Sequence, residues 1–391
     1  MNKRKIISMM DRLFPKSDII IFNSFPDISD NSFALYRYIL LNRKDITKRY
    51  KLVWAVSDKT DVYEKRLEEL IGGVHHCVIK KKSIKGFFYF LRAKYLITTH
   101  GYFGGVSRIR GQRHINLWHG MPLKTIGRGM RQQSSTGFGI DTDLTIATSR
   151  LFRDVISFAF GVKKNQVKIT GLPRNDLLLE KGHGLHKLGV INKYNKVIMW
   201  LPTYRKSVVG DIRCDGDANG LGLKEILLND FDHLNSILKK NNYLLLIKPH
   251  PMDELSKKKL PSSENIITLN DRKLGKMNIP LYSLLADTSV LITDYSSVYI
   301  DYLITGNPIA FVFNDFNEYE NSRGFVFKDV KSKLPGEIIE NKQDFFNYID
   351  NIDSFEGKWK EKYLRIRTEF NPLDDCMSCE RVCNVIWKKD I

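Results

Sequence analysis

Short apolar runs rich in β-branched residues alternate along the chain with amphipathic stretches of helical period. In the first half, the runs that predict strands are Asp18–Phe22, Lys51–Val56, Tyr95–Thr99, Ile115–His119 and Leu144–Thr148. The stretches that predict helices are Phe33–Arg43, Val62–Leu70, Ser83–Lys94 and Arg150–Phe160. This alternation is typical of βαβ units and predicts a parallel sheet covered by helices.

The pattern lapses near the middle of the chain and then begins again. Residues 181–195 (KGHGLHKLGVINKYN) are rich in Gly, His, Lys and Asn, which indicates a connection between domains. Beyond it, the predicted strands are Val197–Leu201, Tyr243–Lys248, Ile266–Leu269, Val290–Thr293 and Ile309–Phe313. The predicted helices are Leu223–Lys240, Leu281–Ala286 and Val298–Ile304. We therefore expect an α/β protein with two facing, Rossmann-like, doubly wound parallel-sheet domains, residues 1–183 and 184–391.

Charge narrows the range of partners. The 391 residues include 62 Lys and Arg against 44 Asp and Glu, a formal net charge of +18. Such a surplus favours a polyanionic partner, namely nucleic acid, an anionic membrane face or phosphate-bearing substrates. The most apolar runs, such as Leu244–Ile247, are far shorter than the ~20 residues of a spanning helix. Asp11 and Arg12 interrupt the apolar part of the basic start, which argues against a secretory signal.

The cysteines predict no disulfide framework. There are five, an odd and sparse set that fits a reducing cytosol. Cys376, Cys379 and Cys383 are closely spaced, but a metal site there lacks an obvious fourth ligand because no His follows His250. We therefore expect plain thiols on a terminal helix.

The first candidate site lies at residues 116–124. Ligands of open parallel sheets bind beyond the carboxyl ends of the strands, and an apolar strand delivers His119 to such a position. Gly120 permits close backbone approach to a ligand, and Pro122 can start a helix. His119 can act as a general base toward a hydroxyl nucleophile. The alternative is a structural His at a strand end.

Two further candidates follow predicted strands of the second half. After Pro202, Thr203 offers a hydroxyl and Arg205 a forked cation that matches phosphate oxygens. The alternative is a solvated basic turn. Lys248 and His250 lie in the segment KPHP, whose two prolines stiffen the backbone, so that the pair suits a pyrophosphate. The alternative here is a proline-rich turn with an incidental His.

The fourth candidate is the segment 291–301. A strand leads to Asp294, then to Ser296 and Ser297 at a predicted helix start, with Asp301 one turn further on. Helix N-termini present unpaired amides and positive partial charge, which bind phosphate. Ser296 or Ser297 can alternatively be a simple N-cap, and the two uses are compatible.

Together these segments resemble the CDP-glycerol glycerophosphotransferase family, the teichoic-acid primases and polymerases. The matching motifs include Asn31 with Ala34-Leu-Tyr36, Trp118-His-Gly-x-Pro-Leu-Lys124, Gly171-Leu-Pro-Arg-Asn-Asp176, Leu201-Pro-Thr-Tyr-Arg205, Lys248-Pro-His250, Thr293-Asp-Tyr-Ser-Ser297 with Asp301, Arg323-Gly324 and Pro335-Gly336. Met121 stands where the family often has Thr. The chain resembles the compact form, since the longer polymerases carry an additional N-terminal region.

The resemblance implies a GT-B architecture, with the nucleotide held mainly by the C-terminal domain. It implies that His119 and His250 are catalytic, with His119 as the base. The residues it implies for the donor are Trp118, Gly120, Pro122, Arg174, Pro202, Thr203, Arg205, Lys248, Ser296, Ser297 and Asp301. The expected reaction moves an alditol phosphate from a CDP-alditol to a lipid-linked or polysaccharide acceptor and releases CMP, in teichoic-acid or capsule synthesis.

Cationic side chains can neutralise the phosphate oxygens, so we expect no required metal ion or cofactor. We expect the enzyme to be cytoplasmic, on the anionic inner face of the cell membrane. Two alternatives belong to other classes. A glycosyltransferase of the same fold would consume a sugar nucleotide. A basic nucleic-acid-binding protein would carry motifs such as an RNP sequence, which is absent, so we expect no nucleic-acid partner.

Overall fold

The computed structural model describes residues 13–58, 60–72, 76–102, 109–130, 140–182, 184–203, 226–227, 229–250, 260–355 and 357–388. Within these ranges the strands form two parallel sheets. The expected α/β architecture is confirmed. Arg205 lies outside the described residues.

The first sheet has the order β3-β2-β1-β4-β5-β6-β7. Its strands are β1 (Ser17–Asn23), β2 (Lys51–Val56), β3 (Cys77–Lys80), β4 (Ala93–Thr98), β5 (Arg113–Asn116), β6 (Leu144–Ala147) and β7 (Val167–Ile169). Its helices are α1 (Asp30–Asn42), α2 (Lys44–Arg49), α3 (Thr60–Ile71), α4 (Ile84–Arg92) and α5 (Arg150–Phe160). The order reverses between β1 and β4, the topological switch point at which doubly wound sheets bind ligands.

The second sheet has the order β10-β9-β8-β11-β12-β13. Its strands are β8 (Lys196–Leu201), β9 (Tyr243–Ile247), β10 (Ile266–Thr268), β11 (Val290–Thr293), β12 (Ile309–Val312) and β13 (Glu337–Ile339). The helices that follow β7 are α6 (Gly184–Leu188), α7 (Phe231–Asn241), α8 (Asp271–Lys276), α9 (Leu281–Leu285), α10 (Val298–Tyr302), α11 (Phe316–Ser322), α12 (Lys342–Asp350), α13 (Ile352–Phe355), α14 (Lys360–Phe370) and α15 (Ser378–Trp387). The switch point of this sheet lies between β8 and β11.

The chain forms two compact units whose limits differ from a single boundary at 183 and 184. The first unit is Met1–Gly120, Thr136–Leu177 and Leu373–Ile391, and the second is Met121–Ser135 and Leu178–Pro372. The last helix thus belongs with the first unit, because Asp176 accepts hydrogen bonds from the backbone N–H groups of Ser378 and Cys379, at 3.0 and 2.8 Å. The sequence pattern alone could not show that the last helix packs against the first unit.

Differences at element ends have local causes. The strand expected over Ile115–His119 ends at Asn116, because Trp118 has φ of +50° and Gly120 has φ of +129°, outside the extended region. The strands β3, β7 and β13 were not predicted, since each has only two β-branched apolar residues beside a lysine or a glutamate. The expected helix Leu223–Lys240 is observed as α7 over its second part, and much of its first part lies outside the described residues.

Two of the three C-terminal thiols lie on the terminal helix, as expected, and the third precedes it. Cys379 and Cys383 are buried on α15, and Cys376 is exposed just before it. Within the part of the chain that the structure describes, no group of three or more His, Cys, Asp or Glu is arranged to hold a metal ion. No helix formed by the described residues is both long and apolar enough to cross a lipid bilayer.

Candidate functional site

The loop after β5 carries His119, and hydrogen bonds fix its backbone. The side chain of Asn116 accepts from the Trp118 N–H at 2.8 Å. The fully buried Asn31 of α1 donates to the carbonyls of Leu117 and Trp118, at 3.1 and 2.9 Å. A left-handed conformation is uncommon for tryptophan and persists only where its surroundings determine it. This loop is therefore held in a defined, strained conformation.

The His119 ring is oriented by three neighbours. Its Nδ1 lies 3.2 Å from the carbonyl oxygen of Thr99. A carbonyl can only accept, so Nδ1 carries the proton and, in the neutral ring, Nε2 keeps its lone pair. One face stacks on the His100 ring, with centroids 4.2 Å apart and planes 7° from parallel, and the Trp118 ring lies 3.9 Å away. This is the tautomer that a general base acting through Nε2 requires.

Arg174 belongs to the same network in the first unit. Its backbone N–H donates to Asn31 Oδ1 at 3.1 Å, and its guanidinium pairs with Asp30 at 2.7 Å. Only 7% of Arg174 is exposed. Its described contacts therefore support the helix that clamps the His119 loop, alongside the donor-binding role that the resemblance implies.

In the second unit, three neighbouring parallel strands bring predicted residues to one edge. Pro202 and Thr203 follow β8, Lys248 and His250 follow β9, and the segment from Asp294 to Ser297 follows β11. Since β9, β8 and β11 are adjacent, these residues converge at the carboxyl end of the sheet around its switch point. This is the edge at which an open parallel sheet binds a nucleotide.

Asp294 joins β8 and β11 at this point. It is 4% exposed and accepts from the Thr203 N–H at 2.9 and 3.0 Å and from the Thr203 hydroxyl at 3.0 Å. These charge-assisted hydrogen bonds fix Thr203 directly after β8. After the neighbouring strand, Lys248 is 6% exposed and pairs with Asp271 at 3.0 Å, which holds its ammonium in place.

The two serines and Asp301 occupy different environments. Ser296 and Ser297 are partly exposed directly before α10, and Ser296 Oγ accepts from the Val298 N–H at 3.3 Å. A serine oxygen that accepts from an N–H at a helix start is typical of the N-cap alternative. Asp301 is fully buried and accepts from the Tyr282 hydroxyl at 2.5 Å. Asp301 therefore links α10 to α9 through Tyr282, and its side chain has no exposed surface in the structure.

The predicted site residues Gly120 and Pro122 belong to different units. Gly120 ends the first segment of the first unit, and Met121 begins a segment of the second. Pro122 is buried in that second segment, in which Lys124 pairs with Phe325 in an isolated antiparallel bridge. The helix expected after Pro122 is replaced by a short 3₁₀ turn at Gly127–Gly129.

His100 was missed from the sequence, although a signal for it existed. It follows the predicted strand Tyr95–Thr99 directly, at the position that singled out His119 after the next strand. The same rule, that side chains just beyond strand ends meet at one edge, would have found it. Asp271 could not have been found in this way, because it begins α8 and reaches Lys248 only in the folded unit.

Two doubly wound parallel sheets of Rossmann-like order, with polar and basic residues beyond their carboxyl ends, define a protein of the GT-B-like class. A solved structure of the wall teichoic acid polymerase TagF superimposes with a TM-score of 0.75 at 23% identity, over 98% of this chain and 92% of that one. A putative UDP-N-acetylglucosamine 2-epimerase from Listeria monocytogenes gives a TM-score of 0.53 at 11% identity, over 96% of this chain and 98% of that one. These likenesses show the fold.

Sequence comparison shows the family. The family model described as CDP-Glycerol:Poly(glycerophosphate) glycerophosphotransferase matches residues 6–388, and the chain belongs to this family. The teichoic acid glycerol-phosphate transferase of Staphylococcus aureus (strain NCTC 8325 / PS 47) is 27% identical over 398 residues, covering 96% of this chain and 94% of that protein. A teichoic acid poly(glycerol phosphate) polymerase of Bacillus spizizenii (strain ATCC 23059 / NRRL B-14472 / W23) is 25% identical, covering 88% of this chain and 86% of that protein. The expected family and enzyme class are confirmed.

Proposed function

We propose that this protein transfers an alditol phosphate, most readily glycerol phosphate, from a CDP-alditol to a hydroxyl of a lipid-linked or polysaccharide acceptor in teichoic-acid or capsule synthesis. The acceptor oxygen forms a bond to the alditol-bearing phosphorus while the bond from that phosphorus to CMP breaks. The hydroxyl proton passes to the base, and CMP leaves with the bonding electron pair. Family membership supports the reaction, and the geometry of His119 supports its mechanism.

The single observation that carries the mechanism is the contact between His119 Nδ1 and the Thr99 carbonyl, 3.2 Å apart. With Nδ1 protonated, the lone pair of Nε2 can take the acceptor proton. Stacking on His100 and contact with Trp118 restrict rotation of the ring. A fixed base of this kind contributes roughly 10²–10⁴-fold to the rate.

The second unit supplies the donor-binding groups in this proposal. Lys248 and His250 neutralise the phosphate oxygens, and the hydroxyl of Ser296 donates to them. Thr203, whose hydroxyl proton goes to Asp294, lies beside them and can only accept through its side chain. His250 offers an imidazolium to the oxygen that departs with CMP. Arg205 is included as a further phosphate-binding cation because of its place in the sequence motif. Transfer between phosphate esters depends chiefly on alignment and on neutralisation of oxygen charge, which such a set provides.

We propose that the enzyme is cytoplasmic and binds the anionic inner face of the membrane peripherally. The surface of α4 supports this: Ile84 is 91% exposed and Phe88 40% exposed, one turn apart, and the preceding Leu13 is 74% exposed. Phe14 contacts the Phe88 ring at 5.7 Å, so these apolar groups adjoin one another. Apolar side chains among the lysines of a chain with net charge +18 suit insertion at an anionic lipid surface. On the same helix, Phe90 is fully buried and packs in the core of the first unit.

The test is release of CMP from purified protein supplied with an acceptor and with CDP-glycerol, CDP-ribitol or a UDP-sugar. We expect CMP from a CDP-alditol and no consumption of the sugar nucleotide. Changing His119→Gln should lower turnover roughly 10²–10⁴-fold with little change in the Kd for the donor. His186→Ala, at an exposed position on α6, is the matched control and should leave turnover unchanged. Full activity of the His119 variant would remove this side chain from the mechanism.

A further inference from the structure

Lys81 is held at the end of β3 with its backbone fixed. Its N–H donates to the Val56 carbonyl at 2.7 Å, which continues the pairing of β3 with β2 by one residue. Gly86, at the start of α4, packs directly on this backbone, and a Cβ there would stand 2.7 Å from the Lys81 carbonyl oxygen. The Ser83 hydroxyl donates to the Lys80 carbonyl at 2.7 Å. The position from which the lysine side chain extends is therefore well defined.

The ammonium of Lys81 is held by uncharged groups. Nζ donates to Asn23 Oδ1 at 3.3 Å and to the Gly101 carbonyl at 3.2 Å, and it lies 4.5 Å from the centre of the Tyr102 ring. Among the described residues, no carboxylate lies within ion-pairing distance of it. Burial lowers the pKa of Lys81 to about 8, and the more distant charge of Asp27 offsets part of this effect. A half-buried cation without a paired anion is costly, and such groups are concentrated at ligand sites.

The location of Lys81 connects it to the proposed base. Asn23 ends β1 and Gly101 follows β4, so the ammonium lies at the switch point of the first sheet. Gly101 is next in sequence to His100, whose ring stacks on His119. The ammonium and the proposed base thus belong to one cluster of side chains within a single unit. The two hydrogen bonds above use two of its three N–H donors.

We propose that Lys81 binds the phosphate of a polyol-phosphate acceptor, beside the hydroxyl that His119 deprotonates. This inference rests on the proposed function and assigns the acceptor's charged group to the first unit. In a glycerophosphate chain, the terminal hydroxyl is separated from the nearest phosphodiester by a single glycerol unit. A phosphate oxygen supplies the missing counter-charge and accepts a charge-assisted hydrogen bond from the third donor. Lys81 then selects acceptors that already carry phosphate.

The experiment compares Lys81→Met with Lys82→Met, which removes the same charge at an exposed neighbouring position. The Kd for sn-glycerol 3-phosphate is measured by calorimetry with no donor present, and the KM values for acceptor and donor are measured by CMP release. We expect Lys81→Met to raise the Kd and the acceptor KM about 10- to 100-fold, as loss of a hydrogen bond to a charged group implies, while the donor KM stays unchanged. Lys82→Met should behave as the wild type, and Lys81→Arg should retain most of the affinity.

The outcomes separate the two proposals. If the wild type releases no CMP from any CDP-alditol, the proposed function fails, and the calorimetric comparison still tests Lys81 by itself. If Lys81→Met and Lys82→Met bind sn-glycerol 3-phosphate equally, the inference is overturned. Equal affinity of the wild type for inorganic phosphate and sn-glycerol 3-phosphate would also overturn it, since the site would then recognise an anion rather than an acceptor. Urea unfolding and far-UV circular dichroism identify a misfolded Lys81→Met protein, in which case Lys81→Gln takes its place.

Discussion

Replacing Asn31 with alanine is expected to loosen the loop that carries His119. The amide of Asn31 is fully buried and makes three hydrogen bonds: it donates to the carbonyls of Leu117 and Trp118 and accepts from the Arg174 N–H. Alanine removes all three bonds and leaves backbone groups without these partners. Because Trp118 has a positive φ, the loop also gains freedom to relax toward an ordinary conformation.

The magnitude follows from the number and setting of these bonds. A hydrogen bond contributes about 0.5–1.5 kcal/mol net, and buried groups left unsatisfied cost more. Trp118 is partly exposed, so water can replace the amide at its carbonyl, whereas Leu117 is fully buried. We expect a loss of about 2–4 kcal/mol in the free energy of unfolding of the first unit. A shift of about 1 Å in His119 would lower kcat by up to about 10²-fold.

The assay is urea unfolding followed by tryptophan fluorescence, together with CMP release. Asn42→Ala is the matched control, because Asn42 lies on the same helix, is exposed and donates only locally, to the Tyr38 carbonyl at 3.2 Å. Its effect should stay within about 0.5 kcal/mol. If Asn31→Ala unfolds at the same urea concentration as Asn42→Ala, the three hydrogen bonds of Asn31 do not stabilise the His119 loop. If Asn31→Ala is destabilised but keeps the wild-type kcat, the hydrogen bonds of Asn31 do not position His119.

Two further predictions concern the C-terminal segment. Gly171→Ala should destabilise the protein by about 1–3 kcal/mol more than Gly72→Ala in urea, because the two share a similar positive φ (+76° and +71°) but only the first places a Cβ against the Ser378 side chain; equal midpoints would contradict this packing. Cys376 should react with iodoacetamide at pH 8 far faster than Cys383, because burial raises the pKa of Cys383 to about 12 and leaves little thiolate. Peptide mass spectrometry reads both labels, and equal rates in the native protein would show that α15 is not packed as described.

Much of the fold follows from pattern, because buried parallel strands are continuous apolar runs. The run Lys51–Val56 is observed as a strand with the predicted bounds, as is Val290–Thr293. The strand Cys77–Lys80 was not predicted because its buried apolar run is only two residues long, and the position of Lys81 at a strand end was therefore not recognised. Sequence proximity likewise placed α15 with the second half, whereas its partners at Asp176 lie about 200 positions earlier. Contacts of this range carry no local signal.

In the candidate site, the motif could be recognised from the sequence, but the separate roles of its residues could not. In the segment 293–301, Asp294 and Tyr295 are almost fully buried and Asp301 is completely buried, while Ser296 and Ser297 reach the surface. Asp294 holds the loop after β8, and Asp301 holds Tyr282 of α9. Acidic residues beside a phosphate would repel it, so their use as buried hydrogen-bond acceptors is the electrostatically consistent arrangement. We therefore propose that the serine hydroxyls and the cations of the neighbouring strands make the ligand contacts at this edge, while the acids of the motif position those groups.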